Sequence, residues 1–256
     1  MKKVVLITIA ASILFVSCKN ESTTNTSDVE TVKDLALTDT PIEEITPQYL
    51  YITAHSGLSL REFNNLNSER LAKMPYGTKV KVLTSEKNLT MNVGGIKGGM
   101  NEVAFNHKKG FAFNGYLSKF FPPEKDSKAK GYAEELKELF PAVKFTESTG
   151  GTASKPTNTE TLILPTTQWH DAFFVAQQLF DFPKDFDFPN PKGKDTQVYK
   201  DKKPVKNTWI SELRVSRKDN ILEKIEYVYT SKGFGYNVIL TQEGETMKIE
   251  KTEKVE

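Results

Sequence analysis

Cysteine is almost missing from this chain: among 256 residues there is one, Cys18. With that thiol placed at the N-terminus, no internal disulfide, thiolate metal site or cysteine nucleophile can be built. Histidine is nearly as scarce, with only His55, His107 and His170, and no two of them have the helical spacing of a zinc-peptidase motif. No G-x-S-x-G elbow is present to expose a serine nucleophile. These absences imply no metal and no cofactor. Charge of one sign is lacking too. The formal excess is +2, and Lys2 and Lys3 account for it, so net charge gives no argument for a nucleic-acid partner. Long apolar runs are missing as well. The longest, Val4–Val16, falls short of the roughly 20 residues that a membrane-spanning helix needs.

What is present begins with an ordered N-terminal pattern. Two basic residues lead into the apolar run, and Phe15-Val16-Ser17-Cys18 closes it, which is how an export signal is built. The closing residues resemble the lipobox of bacterial lipoproteins, with Phe15 where the family usually has Leu. The resemblance implies cleavage of a signal peptide, 1–17, and acylation of Cys18 with chains such as palmitate. The membrane would then be a partner through lipidated Cys18. Lys19 stands where an aspartate would retain the protein at the inner membrane, so the implied location is the outer membrane, at its periplasmic face or surface. Residues 18–48 are rich in Ser, Thr, Asn and acidic side chains. Such a segment buries too little apolar surface to offset the entropy of ordering it, and it reads as a disordered acidic tether.

Residues 49–121 change character. Tyr49–Ile52, Leu58–Leu60, Lys79–Leu83, Asn101–Phe105 and Phe111–Phe113 are short β-prone runs separated by turn residues such as Pro75-Tyr76-Gly77 and Asn106–Gly110. Short strands without a helical period predict a small β-barrel. The strings Gly57–Arg61 (GLSLR), Pro75–Leu83 (PYGTKVKVL) and Lys108–Ser118 (KKGFAFNGYLS) are similar, in order, to the landmarks of bacterial SH3 domains, the SH3b family. The resemblance implies an SH3-like barrel that holds extended peptides between aromatic side chains. By position, Arg61, Phe63, Tyr76 and Tyr116 are the ligand-binding candidates, although Arg61 and Tyr116 read equally well as packing residues. Phe111 replaces the usual Trp, and Phe63–Leu66 replaces the usual Gly-Pro loop. This segment carries ten Lys/Arg against four Glu, which favours anionic wall material as a partner.

After a Pro- and charge-rich joint at 122–128, Tyr132, Leu136, Leu139 and Phe140 recur at helical spacing, and Pro141 stops the helix. Ser148–Thr159 reads as a Gly/Ser/Thr/Pro loop, and Thr161–Leu164 as a short strand. Pro165-Thr166-Thr167 precedes a second helix containing Trp169, Phe173, Ala176 and Phe180. Four period-two runs follow: Trp209–Val215, Ile221–Tyr229, Tyr236–Leu240 and Met247–Ile249. The expected fold class is therefore a multidomain chain, an SH3-like barrel at 49–121 followed by an α+β domain at 129–256 with an antiparallel four-stranded sheet.

Other motifs carry weaker chemistry. His170-Asp171 could be part of an acid/base site, but more often such a pair is the capped first turn of a helix. Gly94–Gly99 lacks the following helix and Ser/Thr of a phosphate loop, as does Pro191–Thr196. The stretch Phe180–Pro191 interleaves four phenylalanines with prolines and aspartates. It suits either a docking loop or a long connection whose rings pack over the sheet. The expected function is non-catalytic binding of peptidoglycan peptide or an envelope protein. The alternatives are that the C-terminal domain is an envelope enzyme or small-ligand carrier, or that the sheet pairs through an edge strand.

Overall fold

Alternation of apolar and polar residues builds most of this molecule. The computed structural model describes residues 48–255. The signal peptide, Cys18 and the tether up to residue 47 lie outside the described residues.

The first sheet is formed by β1 (Tyr49–Ile52), β2 (Leu58–Arg61), β3 (Arg70–Met74), β4 (Lys79–Thr84), β7 (Met100–Phe105), β8 (Lys108–Phe113) and β9 (Leu117–Ser118). Its order is β3-β2-β8-β7-β4-β1-β9, and every pairing is antiparallel. In β4 the lysines face water while Val80 and Val82 point inward. β7 and β8 meet through Asn106 and His107, both in the left-handed region, the geometry a two-residue hairpin turn requires. A separate two-stranded ribbon, β5 (Met91–Val93) and β6 (Ile96–Gly98), turns through Gly94 and Gly95 in the same way.

The second sheet has the order β10-β11-β16-β15-β14-β13-β12 and is antiparallel throughout. Its strands are β10 (Lys144–Thr152), β11 (Lys155–Leu164), β12 (Thr196–Lys200), β13 (Thr208–Lys218), β14 (Ile221–Ser231), β15 (Phe234–Glu243) and β16 (Thr246–Lys254). Leu213, Val215, Ile225, Tyr227, Val238, Leu240, Met247 and Ile249 form its buried face. Two helices pack on this sheet: α1 (Ala129–Leu139) against β10 and β11, and α2 (Trp169–Leu179) against β15 and β16. Tyr132 and Leu136 of α1 sit one turn apart and are buried together. One continuous cluster of buried side chains runs from Ile52 in the first sheet to Ile249 in the second.

The expected fold class needs correction in both halves. The first half is a seven-stranded sheet with an added ribbon, not a small SH3-like barrel, and the second sheet has seven strands instead of four. With 50% strand and 12% helix, the molecule is mostly β rather than a barrel joined to an α+β domain. The missing strands of the second sheet are polar ones. The segment expected to be a loop, Ser148–Thr159, is a β10–β11 hairpin whose distal half is largely exposed, so no apolar alternation marks it. Ladder pairing with β16 holds it there, together with a 3.0 Å hydrogen bond between the Thr159 and Thr252 hydroxyls. β12 is likewise mostly polar, and its strand geometry comes from its neighbour β13.

Candidate functional site: a cleft at the seam of the two sheets

The β1–β2 turn brings His55 to the edge of the first sheet. Gly57 makes that turn possible: its φ is 80°, and a Cβ there would lie 2.8 Å from the Met74 carbonyl oxygen. Across the seam, α2 presents Phe174 and Gln177. His55 Nε2 and Gln177 Oε1 are 3.0 Å apart. The amide nitrogen of Gln177 donates to the carbonyls of Pro183 and Phe186, each at 3.0 Å. Those two bonds set the orientation of the amide, so its oxygen faces His55 and the imidazole donates from Nε2. The ring is stacked on Tyr76, with centroids 4.9 Å apart, and stands edge-on to Phe174. Burial holds the His55 pKa below the usual 6.5; the bond to Gln177 opposes this, and the nearby Lys184 charge adds to it.

Beside His55 opens a cleft of about 390 Å³. Its walls come from both halves: the β1–β2 turn, Arg61 at the end of β2, Tyr116, and Phe174 with the loop after α2. That loop is Phe180–Pro191, and all four of its phenylalanine rings are buried. Phe182 packs on Tyr227 at 4.7 Å, and Phe188 on Phe173 at 5.6 Å. The rings therefore lie over the sheet, and the loop's charged residues Lys184 and Asp187 face outward along the cleft. Gln177 pins the loop's middle. Buried Arg217 pins its end, donating through Nε and Nη2 to the Asn190 carbonyl and through Nη1 to that of Lys194.

The four residues proposed from the sequence fall in different places. Tyr116 lies in the cleft wall, tilted against Phe174 at 5.9 Å and edge-on to Phe113 at 5.9 Å. Burial raises its pKa, and Asp187 raises it further. Arg61 shares the cleft and is half-buried, with Nη1 donating to the Ser68 carbonyl at 2.6 Å. Tyr76 backs the cleft through its stack on His55. It opens on a neighbouring groove with Tyr132, and burial pushes its pKa up to about 12. Phe63 is 57% exposed in the β2–β3 loop and lines none of these walls. Sequence reading missed His55, Phe174, Gln177, Lys184 and Asp187. Their positions are far apart in the chain, and only the packing of α2 against the first sheet unites them.

The remaining motifs resolve structurally. Asp171 is buried, and the Thr166 hydroxyl donates to its Oδ2 at 3.2 Å. Burial raises its carboxyl pKa, opposed by His170, Ser118 and Thr166. His170 instead stands edge-on to Phe188 at 6.0 Å and lines a second groove whose walls hold no carboxylate. Gly94–Gly99 is part of the β5–β6 hairpin and leads into β7 rather than a helix; its tip leans on the Phe-Pro loop, Gly95 lying against Asn190. Among the described residues, no group of three His, Cys, Asp or Glu is placed to hold a metal, and no helix is long and apolar enough to cross a membrane. A scan against protein-family models, a search of curated proteins and a search of solved structures each returned no match.

Proposed function

We propose that this chain is an exported, lipid-anchored, non-catalytic binding protein of the cell envelope, and that the seam cleft holds a peptidoglycan peptide. The observation that carries the reading is the preformed cleft itself. It is open, of a size suited to a small peptide, and lined by Tyr116 and Phe174 together with charged groups. The Gln177 and Arg217 bonds hold the loop of its wall in place, which reduces the entropy lost on binding. The likeness of Gly57–Arg61, Pro75–Leu83 and Lys108–Ser118 to the bacterial SH3 strings supports the same ligand class. The order Lys2-Lys3, Val4–Val16, Cys18 supports anchoring, and Lys19 supports the outer membrane.

Sedimentation of the purified chain with wall sacculi tests the reading. The wild type co-sediments, and Tyr116→Ala weakens binding about tenfold or more. Phe63→Ala, outside the cleft, binds like the wild type. Failure of the folded wild type to sediment with sacculi overturns the proposal, and capture of an envelope protein in its place would identify the other partner class. Labelled palmitate enters the wild type and is absent from Cys18→Ser if the anchor is as proposed.

A further inference from the structure

The seam cleft carries fixed charges of both signs that do not neutralise one another. Lys184 and Asp187 are three residues apart on the loop after α2, and both line the cleft. Neither makes an ion pair within 4.0 Å among the described residues. Their backbone is not free to drift together, because Phe182, Phe186 and Phe188 are buried beneath them and Gln177 holds the carbonyls of Pro183 and Phe186. Arg61, at the end of β2, adds a second cation to the lining. One of its nitrogens donates to the Ser68 carbonyl, and among the described residues its other donors meet no acceptor.

The charges are also sorted. Lys184 also lines the neighbouring groove beside Tyr76, whose ring is stacked on His55, whereas Asp187 precedes Phe188, whose carbonyl lies by Gly95 while Gly94 lies by the Tyr116 hydroxyl. The acidic pole therefore adjoins the aromatic wall of Tyr116 and Phe174, and aromatic rings attract an ammonium group. The cationic pole adjoins His55, whose Nε2–H is already committed to Gln177. A ligand with one sign of charge would meet repulsion at one pole, whereas a ligand with both would satisfy each.

We infer that the seam cleft selects a peptide end bearing both a free ammonium and carboxylates, the ammonium toward Asp187 and Tyr116 and the carboxylates toward Lys184 and Arg61. With two cations against one anion in the walls, the fitting ligand has carboxylates in excess. Among wall peptides this singles out stems ending in a diamino diacid. The inference rests on the cleft being the peptide site proposed above.

Calorimetric titration of the full chain in detergent micelles tests it with three probes: alanyl-γ-glutamyl-diaminopimelate, the same tripeptide acetylated on its amines, and the analogue with lysine in place of the diamino diacid. The wild type binds the first about tenfold tighter than either derivative, the scale of one lost charge-assisted contact. Asp187→Asn loses the preference over the acetylated probe but keeps the preference over the lysine analogue. Lys184→Gln does the reverse. Both are exposed substitutions, and circular dichroism of each variant should match the wild type. Equal affinity of the wild type for all three probes, or preferences unchanged in both variants, overturns the inference. If sacculi are still bound in a Tyr116-dependent manner in that case, the proposed function stands without it. If neither sacculi nor any tripeptide binds, both fall.

Discussion

The two sheets solve the same packing problem with different means. Strands of the first run from two to six residues, and the register slips between β2 and β3 and between β4 and β7. Apart from five-residue β12, strands of the second run from nine to eleven residues. The β10–β11, β11–β16, β14–β15 and β15–β16 ladders are unbroken. Long, regular strands bury a continuous apolar face and form a scaffold. Short ones place more of the chain in turns, and turns supply side chains for binding. His55 and Tyr116 come from such places. The long sheet contributes through what it carries on its surface, α2 and the Phe-Pro loop. The cleft thus needs both halves, and its geometry depends on how rigidly they are joined.

That comparison breaks first at the shared core. Phe173 is fully buried beneath α2 and touches the rings of Phe174, Phe182 and Phe188. Phe173→Ala should cost about 3–5 kcal/mol in urea unfolding. Because one buried cluster spans both sheets, hydrogen exchange should show β7–β8 amides losing protection together with β14–β15. Retained protection in the first sheet alone would mean that the two halves are energetically separate.

Gln177 is the next point. Gln177→Ala, at a site only 2% exposed, leaves the Phe186 carbonyl unpaired, leaves that of Pro183 with the Phe186 N–H alone, and frees His55. A loss of about 2–3 kcal/mol is expected, together with faster exchange of amides in 182–188. A stability equal to the wild type would show that the clamp contributes nothing to the seam.

The smallest effect concerns pH. Burial lowers the His55 pKa in the fold, so the unfolded chain binds more protons through this residue. The contribution of neutral His55 is complete above the unfolded value of 6.5 and is lost as pH falls through the lower folded value. His170 is shifted in the same direction, also by burial. His55→Gln should therefore flatten part of the loss of urea midpoint between neutral and mildly acidic pH, and leave the part due to His170. An unchanged slope would remove His55 from the linkage.

Legibility in the sequence followed burial. β13 to β16 were readable because one face of each is apolar at every second residue, and the α1 stop was readable at Pro141. The β7–β8 hairpin was readable, but its turn, expected over Asn106–Gly110, narrows to Asn106-His107, with Lys108–Gly110 already in β8. β10, the distal half of β11 and β12 were not readable. Their side chains mostly face water, and what makes them strands is the row of backbone partners offered by the neighbouring strand. Four-stranded and seven-stranded sheets differ here only in such polar edges. Of the site, Arg61 and Tyr116 were visible through the strings that contain them, whereas nothing near His55, Gln177, Lys184 or Asp187 advertised a shared wall.

By itself the sequence determined the chemical inventory: one cysteine at the end of an apolar run, three scattered histidines, an aromatic-rich loop, and alternating strands able to bury one face. These are local properties, set by residue type and spacing within a few positions. Tertiary structure alone decided that the loop's rings turn inward, that its lysine and aspartate turn outward, and that α2 lies against the first sheet with Gln177 meeting His55. Such choices depend on which surfaces pack together across more than 100 residues of chain, and side chains so far apart become neighbours only after the core has closed.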